Sequence, residues 1–398
     1  MAGSDIFDAS ASALGYLHQL RFALLASVRE HMNGVNWHVS VEVADDVEVI
    51  SDENKRWQLK HRAAGTRLTD SSADLWKTLR IWSIAVKNRE VDLSKTRFIL
   101  LTTGEISAGS AAHYMQDESR DVESAIKLLA AAEQKSKSKD AKKNFDAFNA
   151  LTGEEKRALL ARISAVGESL NIDQTRTELL RLCGLAVGRA KAEPFLNRLE
   201  GWFNQRSIEL MRAPTAAPID GIEFDEHFTD LQQQFRAENL PIDDDVASLT
   251  ATRLEYEHRA FVQQLCLIGI KSRRIELAVR DYLRAYTQRS RWSRESLLLP
   301  GEISRYERLL TEEWAAHFAE MEEELGLSAA EDEKVKAARK IYEWVDKVAR
   351  MPIRPECREP FVTKGSFHML ADEQLIGWHP DFEARLISLL EPVGVSRG

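Results

Sequence analysis

Cysteine is scarce, with Cys183, Cys266 and Cys357 the only three in 398 residues. They are far apart, odd in number and form no CxxC pair, so they supply no disulfide framework and read as buried thiols. Long apolar runs are missing as well. No window approaches the roughly 18 uninterrupted apolar residues of a membrane span. The opening stretch MAGSDIFDASASALGYLHQL lacks a basic leader followed by an apolar segment. These absences predict a cytoplasmic protein. HExxH, GxxxxGK[ST] and GxSxG do not occur, so zincin, P-loop and α/β-hydrolase chemistry have no support, and any ATP use falls to a partner.

Excess positive charge is also lacking, since the net charge is −9. The charge is unevenly spread, however. The first 214 residues carry 30 Lys+Arg against 29 Asp+Glu, and the remainder carries 24 against 34. The first half is the better candidate for meeting a polyanion, the second for meeting a protein.

The first 105 residues read as mixed α/β. SALGYLHQLRFALLASVREH has a helical apolar period. VNWHVSVEVADDVEVI alternates, placing Val39, Val41 and Val43 on one face, and turns at Asp45-Asp46 into a second strand. RWQLKH is a third strand that completes a meander. TDSSADLWKTLRIWSIAVKN is a helix for which Thr69 to Ser72 offer N-cap oxygens, and TRFILLTT is a buried strand. Residues 110–212 look almost entirely helical, GEEKRALLARISAV included. APTAAPIDG, residues 213–221, is the best linker. The chain beyond it is again helical, until a Pro- and Gly-rich region in which GSFH and GWHP read as turns.

WQLKHR is the stretch with chemical content. On a strand Gln58 and Lys60 share one face, and Trp57 and Leu59 the other. The meander brings the start of the second strand beside the end of the third. Asp46 can then give a charged oxygen to Mg²⁺, with the Gln58 amide oxygen or the Leu59 carbonyl as further ligands. Lys60 beside such an ion could orient a water or neutralise charge on a phosphate. A solvated strand face and an Asx turn are the bland readings of the same residues.

SVEVADDVEVI…WQLKHRA resembles the E-x-x-D-D-V…Q-x-K-H pattern of a branch of PD-(D/E)xK nucleases in which Gln replaces the usual Glu. With LGYLHQLRFALL upstream and LTDSSADLWKTLRIW downstream, it is similar to the double-stranded-DNA endonuclease domain of bacterial anti-phage systems. FVQQLCLIGI, AVRDYLRAYTQRSRW, GSFHMLAD and GWHP resemble the C-terminal domain of ABC-three-component systems. Together they point to the nuclease subunit of a Lamassu-type complex.

The resemblance implies an α+β fold: a restriction-endonuclease-like α/β core with a β-meander and flanking helices, then a mostly helical C-terminal domain. It implies a nuclease domain over 1–212, with the catalytic core in about 1–105 and a helical extension over 106–212. A docking and assembly domain would follow over 222–398. Asp46 matches the metal aspartate, Gln58 the variant third-strand ligand and Lys60 the catalytic lysine. Glu42 matches the upstream acidic residue, a second metal ligand or a structural group, and Asp45 is the alternative if the turn register shifts by one. The implied cofactor is Mg²⁺ or Mn²⁺. The implied partners are double-stranded DNA, an SMC-like ATPase and a small accessory subunit, with self-assembly on activation. A non-cleaving DNA-binding scaffold is the other reading, and an RNA substrate a third.

Four basic residues are candidate DNA contacts, each with a solvated surface as its alternative: His61 and Arg62 after the third strand, and Lys77 and Arg80 one turn apart on the next helix. Trp76 and Trp82 read as packing residues. The basic, aromatic segment Gln288 to Trp292 reads as an interface within or between subunits. Cys357 with His368 or His379 offers no oriented nucleophile pair.

Overall fold

The computed structural model describes residues 4–42, 45–61, 65–213, 217–326 and 328–390, and the chain divides into two compact units, Met1–Leu231 and Gln232–Gly398. The fold is mixed α/β, with a mixed sheet in the first unit and a helical C-terminal region. Among the described residues no helix is long and apolar enough to cross a membrane.

The first unit opens with α1 (Ser4–His31) and the meander β1 (His38–Val41), β2 (Val47–Ile50) and β3 (Asn54–Lys60). After the two-residue β4 (Arg67–Leu68), α2 (Ala73–Lys87) crosses to β5 (Thr96–Thr102), which pairs parallel to β3. The short β6 (Glu105–Ile106) pairs with β4. Then come α3 (Val122–Lys135), α4 (Lys139–Asn149), α5 (Gly153–Ala161), β7 (Ile163–Val166), α6 (Ile172–Val187), α7 (Ala192–Arg212), β8 (Ile219–Asp220) and α8 (Gly221–Gln234). The main sheet runs β7-β5-β3-β2-β1-β8.

β3 is central, and helices cover both its faces. Trp57, on one face, meets Phe22 of α1 edge-on with ring centroids 5.8 Å apart. In the parallel register Arg56, Gln58 and Lys60 lie beside Phe98, Leu100 and Thr102. Phe98 and Leu100 pack against Leu75, Leu79 and Trp82 of α2. Gln58 therefore points into a covered face and is only 2% exposed. At the start of α2 the Ser72 hydroxyl accepts from the Thr69 N–H rather than capping the helix.

Three sequence expectations change here. GEEKRALLARISAV is not one helix, because α5 ends at Ala161 and Ile163–Val166 joins the sheet beside β5. Its helical period breaks where the sheet edge offers parallel partners, which local spacing does not reveal. APTAAPIDG is not wholly a linker, although residues 214–216 lie outside the described residues. Ile219 and Asp220 pair with Val39 and His38 as an edge strand. Gly221 lies so near Val35 that a Cβ there would sit 2.2 Å from the Val35 carbonyl oxygen, and the unit boundary falls only after Leu231. GSFH lies inside a helix of the second unit rather than in a turn.

The second unit comprises α9 (Asp244–Ala247), α10 (Ala260–Leu267), α11 (Ser272–Arg294), α12 (Glu302–Leu325), α13 (Glu331–Lys347), α14 (Pro360–Asp372) and α15 (Phe382–Leu390). Gly269, at positive φ, lies between the end of α10 and the start of α11. Phe261, Leu265, Val279, Leu310, Ile341, Phe367 and Trp378 form its core. Gly365 lets α14 lie against α11, since a Cβ there would stand 2.1 Å from the Asp281 carbonyl oxygen. The segment Gln288 to Trp292 is internal to this unit. Trp292 is buried and donates to Pro241 O at 2.7 Å, Gln288 donates to Asp243 Oδ2 at 2.8 Å, and Arg289 pairs with Glu307.

Candidate metal site at the end of the meander

The antiparallel register pairs Val47 with Trp57 and Glu48 with Arg56. One step further along the same diagonal, Asp46 falls opposite Gln58, on the face where Arg56 and Glu48 form an ion pair of 2.6 Å. The Leu59 N–H donates to Asp46 Oδ2 at 2.7 Å, and Gln58 Nε2 donates to Asp46 Oδ1 at 3.0 Å. Lys60 Nζ donates to Gln58 Oε1 at 2.7 Å and lies 3.5 Å from Asp46 Oδ2. Asp46, Gln58 and Lys60 thus meet within hydrogen-bonding reach, and both Asp46 and Lys60 retain partial solvent access.

Glu42 and Asp45 complete the cluster. Continuing the β1–β2 register sets Glu42 opposite Asp46, and the Glu42 N–H donates to Asp46 O at 3.2 Å. Glu42 holds a left-handed φ of 56°, a conformation that costs a non-glycine residue about 1–2 kcal/mol. Burial, then the nearby Asp46 charge, raises its carboxyl above the usual range. Asp45 is buried and accepts hydrogen bonds from Gln58 Nε2 and, at 2.9 Å, from Trp82 Nε1. Burial pushes Asp45 up to about 7, against the opposing pull of those two donors.

Gln19, Tyr16 and Trp82 were not among the sequence candidates. Gln19 of α1 hydrogen-bonds Glu42 and leaves its own Oε1 buried without a partner. Tyr16 lies close enough for the Glu42 charge to raise its phenol, after the larger effect of burial. No local spacing rule links α1 to the hairpin. The one available signal was their helical placement inside LGYLHQLRFALL.

The donor set is of the chemical type a hard divalent cation takes, but among the described residues its three carboxylates do not bring ligand atoms within 4.8 Å of one another as Glu331, His379 and Asp381 do. Three carboxylates and one ammonium leave the cluster net negative, and every candidate ligand atom is an oxygen. Asp46 and Glu42 would hold such an ion, while Gln58 Oε1, the ligand expected from the sequence, is already engaged in accepting from Lys60. The orphaned Gln19 oxygen is a further buried acceptor beside Glu42.

The proposed DNA contacts do not cluster as one group. His61 follows Lys60 and lines a cleft of about 700 Å³ that also holds Glu105, Glu168 and Asp173. Arg62 lies outside the described residues. Lys77 is exposed and lines a separate cavity between α2, α3 and α4. Arg80 is half-buried, with its Nε lacking a partner.

In the second unit Glu331, His379 and Asp381 place potential ligand atoms within 4.8 Å of one another. His379 Nδ1 accepts the Asp381 N–H at 3.1 Å, so the neutral ring carries its proton on Nε2, 3.5 Å from Glu331. Lys334 and Arg385 already pair with Asp381 and Glu331. This is a hydrogen-bonded ion-pair group. Burial drives the Cys357 thiol up to about 12 and His368 down to about 4, so neither suits nucleophilic chemistry.

The chain is thus a mixed α/β unit with a carboxylate–lysine cluster, followed by a helical unit. Residues 261–386 of that helical unit match C-terminal domain 7 of the ABC-three component (ABC-3C) systems, which places the protein in those systems. They are multi-component complexes, consistent with partner subunits for this chain. No curated protein matches the sequence. Among solved structures the chain is similar to the Moraxella osloensis Cap4 SAVED/CARF-domain containing receptor, with 14% identity and a TM-score of 0.33 over 69% of this chain and 68% of that one.

Proposed function

We propose that the protein is the Mg²⁺-dependent double-stranded-DNA endonuclease effector of a Lamassu-type ABC-three-component complex. The carrying observation is the convergence of Asp46, Gln58 and Lys60 at one end of the meander. The ordered strands β1–β2–β3, followed by a helix and a parallel β5, agree with a restriction-endonuclease-like core.

In this reading Asp46 and Glu42 hold the ion, which when bound supplies Lewis-acid polarisation of the scissile phosphate. Lys60 sets its ammonium where a phosphate oxygen would gain charge. Gln58 fixes that ammonium through its amide oxygen, and Asp46 is itself fixed by the Leu59 N–H. Water attack would leave a 5′-phosphate. The SMC-like ATPase and the small accessory subunit would dock on the helical unit, restrain cutting, and release it through a change in assembly.

The alternative is a DNA-binding scaffold that does not cut. One feature favours it: the Gln58 amide faces both carboxylates, closing the cluster on itself. Plasmid degradation in Mg²⁺ or Mn²⁺, with partner subunits present, separates the two. The nuclease reading expects cutting by the wild type and at least a hundredfold loss in Lys60→Ala. Intact plasmid with both proteins under activating conditions refutes it, and cleavage of RNA in place of duplex DNA would change the substrate.

A further inference from the structure

The cavity between α2, α3 and α4 lies outside the carboxylate–lysine cluster. Its volume is about 580 Å³, within the range that holds small ligands, roughly 300–1,000 Å³. Trp76, Leu128 and Phe145 give it apolar walls. Trp76 and Phe145 meet edge-on at 4.5 Å, which fixes that wall.

Lys77, Lys135 and Lys143 line the same cavity and are exposed, and none has an ion-pair partner among the described residues. Neighbouring lysines behave differently, for Lys142 pairs with Asp146 and Lys156 bonds Asn149. Three ammonium groups from three helices, without ion-pair partners among the described residues, therefore line one space together with its apolar wall. The Asp70 carboxylate in the same lining is engaged by the Ala111 N–H.

Asn144 supplies an independent observation. It lines the cavity at 4% exposure, yet its buried Oδ1 has no hydrogen-bond partner. A buried amide oxygen left without a donor is unfavourable unless another molecule supplies one. The ligand that satisfies all three features has an acidic group for the lysines, an apolar body for the walls and an N–H or O–H for Asn144.

We propose that this cavity binds a small organic anion of that description, of about nucleotide size. α2 joins it to the carboxylate cluster: Trp76 and Lys77 line the cavity, while Trp82, further along the helix, holds Asp45.

The test uses the full chain and 8-anilinonaphthalene-1-sulfonate, a fluorescent probe that has a sulfonate, aromatic rings and one N–H. The proposal expects saturable binding at one site per chain, weakened at least tenfold in Lys77→Ala/Lys143→Ala. It expects Asn144→Leu to lose binding at least tenfold while its melting temperature stays level or rises. The lysines are on the surface, so that double variant keeps its fold even where the asparagine variant does not. Displacement of the probe by adenosine 5′-monophosphate supports a nucleotide as the source of the anion. Failure to displace it, with binding still dependent on the lysines, supports a non-nucleotide acid. Probe fluorescence unchanged by the lysine substitutions, or rising without saturation, overturns the proposal.

Discussion

The indole N–H of Trp82 donates to Asp45 Oδ2 across 2.9 Å, and both residues are buried. A helix on one layer thereby holds a carboxylate at the mouth of a hairpin on another. Trp82→Phe keeps the aromatic packing against Phe98 and removes the donor. A hydrogen bond to a buried charged acceptor contributes about 1.5–3 kcal/mol. Urea unfolding at pH 8 should show a loss of that size, and a clearly smaller one at pH 5, where Asp45 carries a proton. Equal losses at both pH values would assign the effect to packing.

Asp45 also makes stability depend on pH. Its carboxyl titrates at about 7 in the fold, against about 3.9 in an unfolded chain. Between those values the native state retains a proton that the unfolded state has released. Asp45 therefore lowers stability progressively as pH rises from about 4 to about 7, and by a constant amount above that, on the order of 4 kcal/mol in total. Asp45→Asn should remove that slope. Stability curves in EDTA for the two proteins should diverge across this window, with the variant the more stable at pH 8. Parallel curves would show that Asp45 titrates normally.

The shared face of Gln58 and Lys60 was legible in the alternation of WQLKHR, and the meander placed Asp46 beside them. The helical character of the chain beyond residue 222 was legible in its apolar period, but not that of α14, whose GSFH read as a turn. Other features depend on contacts distant in sequence. Burial of Asp45 needs Trp82, 37 positions away, so a turn aspartate gave no sign of being held in the core. Gln19 reaches Glu42 only because α1 packs beside the hairpin. β7 and β8 are short strands recruited to sheet edges, and four or two residues carry too little periodicity to declare themselves. Gln58 itself was expected to offer its oxygen to a metal, whereas in the fold that oxygen accepts from Lys60.

That orientation leads to a prediction for metal binding. Gln58→Glu replaces a donor shared by two carboxylates with a further negative charge, in a position only 2% exposed. Lys60 would meet one of the new oxygens, but the other would replace the donor to Asp45 and Asp46. Breaking a buried charged pairing of this kind costs about 3–5 kcal/mol, so the variant should be less stable in EDTA. Mn²⁺ should restore a large part of the loss, since a cation binding only the folded state stabilises it by about 2.7 kcal/mol at a hundred times its dissociation constant. Asp46→Asn should lose most of the Mn²⁺ response that the wild type shows. Thermal unfolding against Mn²⁺ concentration measures both. An identical metal response in all three proteins would place the ion elsewhere.

The second unit has its own weak point in Gly365, where α14 meets the backbone of α11. Alanine is the better helix former by about 1 kcal/mol. Its Cβ, however, would lie 2.1 Å from the Asp281 carbonyl oxygen and 2.4 Å from the Ala285 Cβ. Neither contact is the far end of a flexible side chain, so the helices must move apart. Overpacking of this kind costs about 1–3 kcal/mol, enough to outweigh the propensity gain. Gly365→Ala should therefore lower the stability of the helical unit by up to about 2 kcal/mol net. Hydrogen exchange should show faster opening across α11 and α14, with protection in β3 and β5 unchanged. α11 and α14 lie within the residues matching the ABC-three-component domain, so if partner subunits dock on this unit as proposed, the same variant should weaken assembly while leaving any Mn²⁺ response that depends on Asp46 unchanged. Full assembly by a variant with a loosened α11–α14 contact would move the docking surface off this unit.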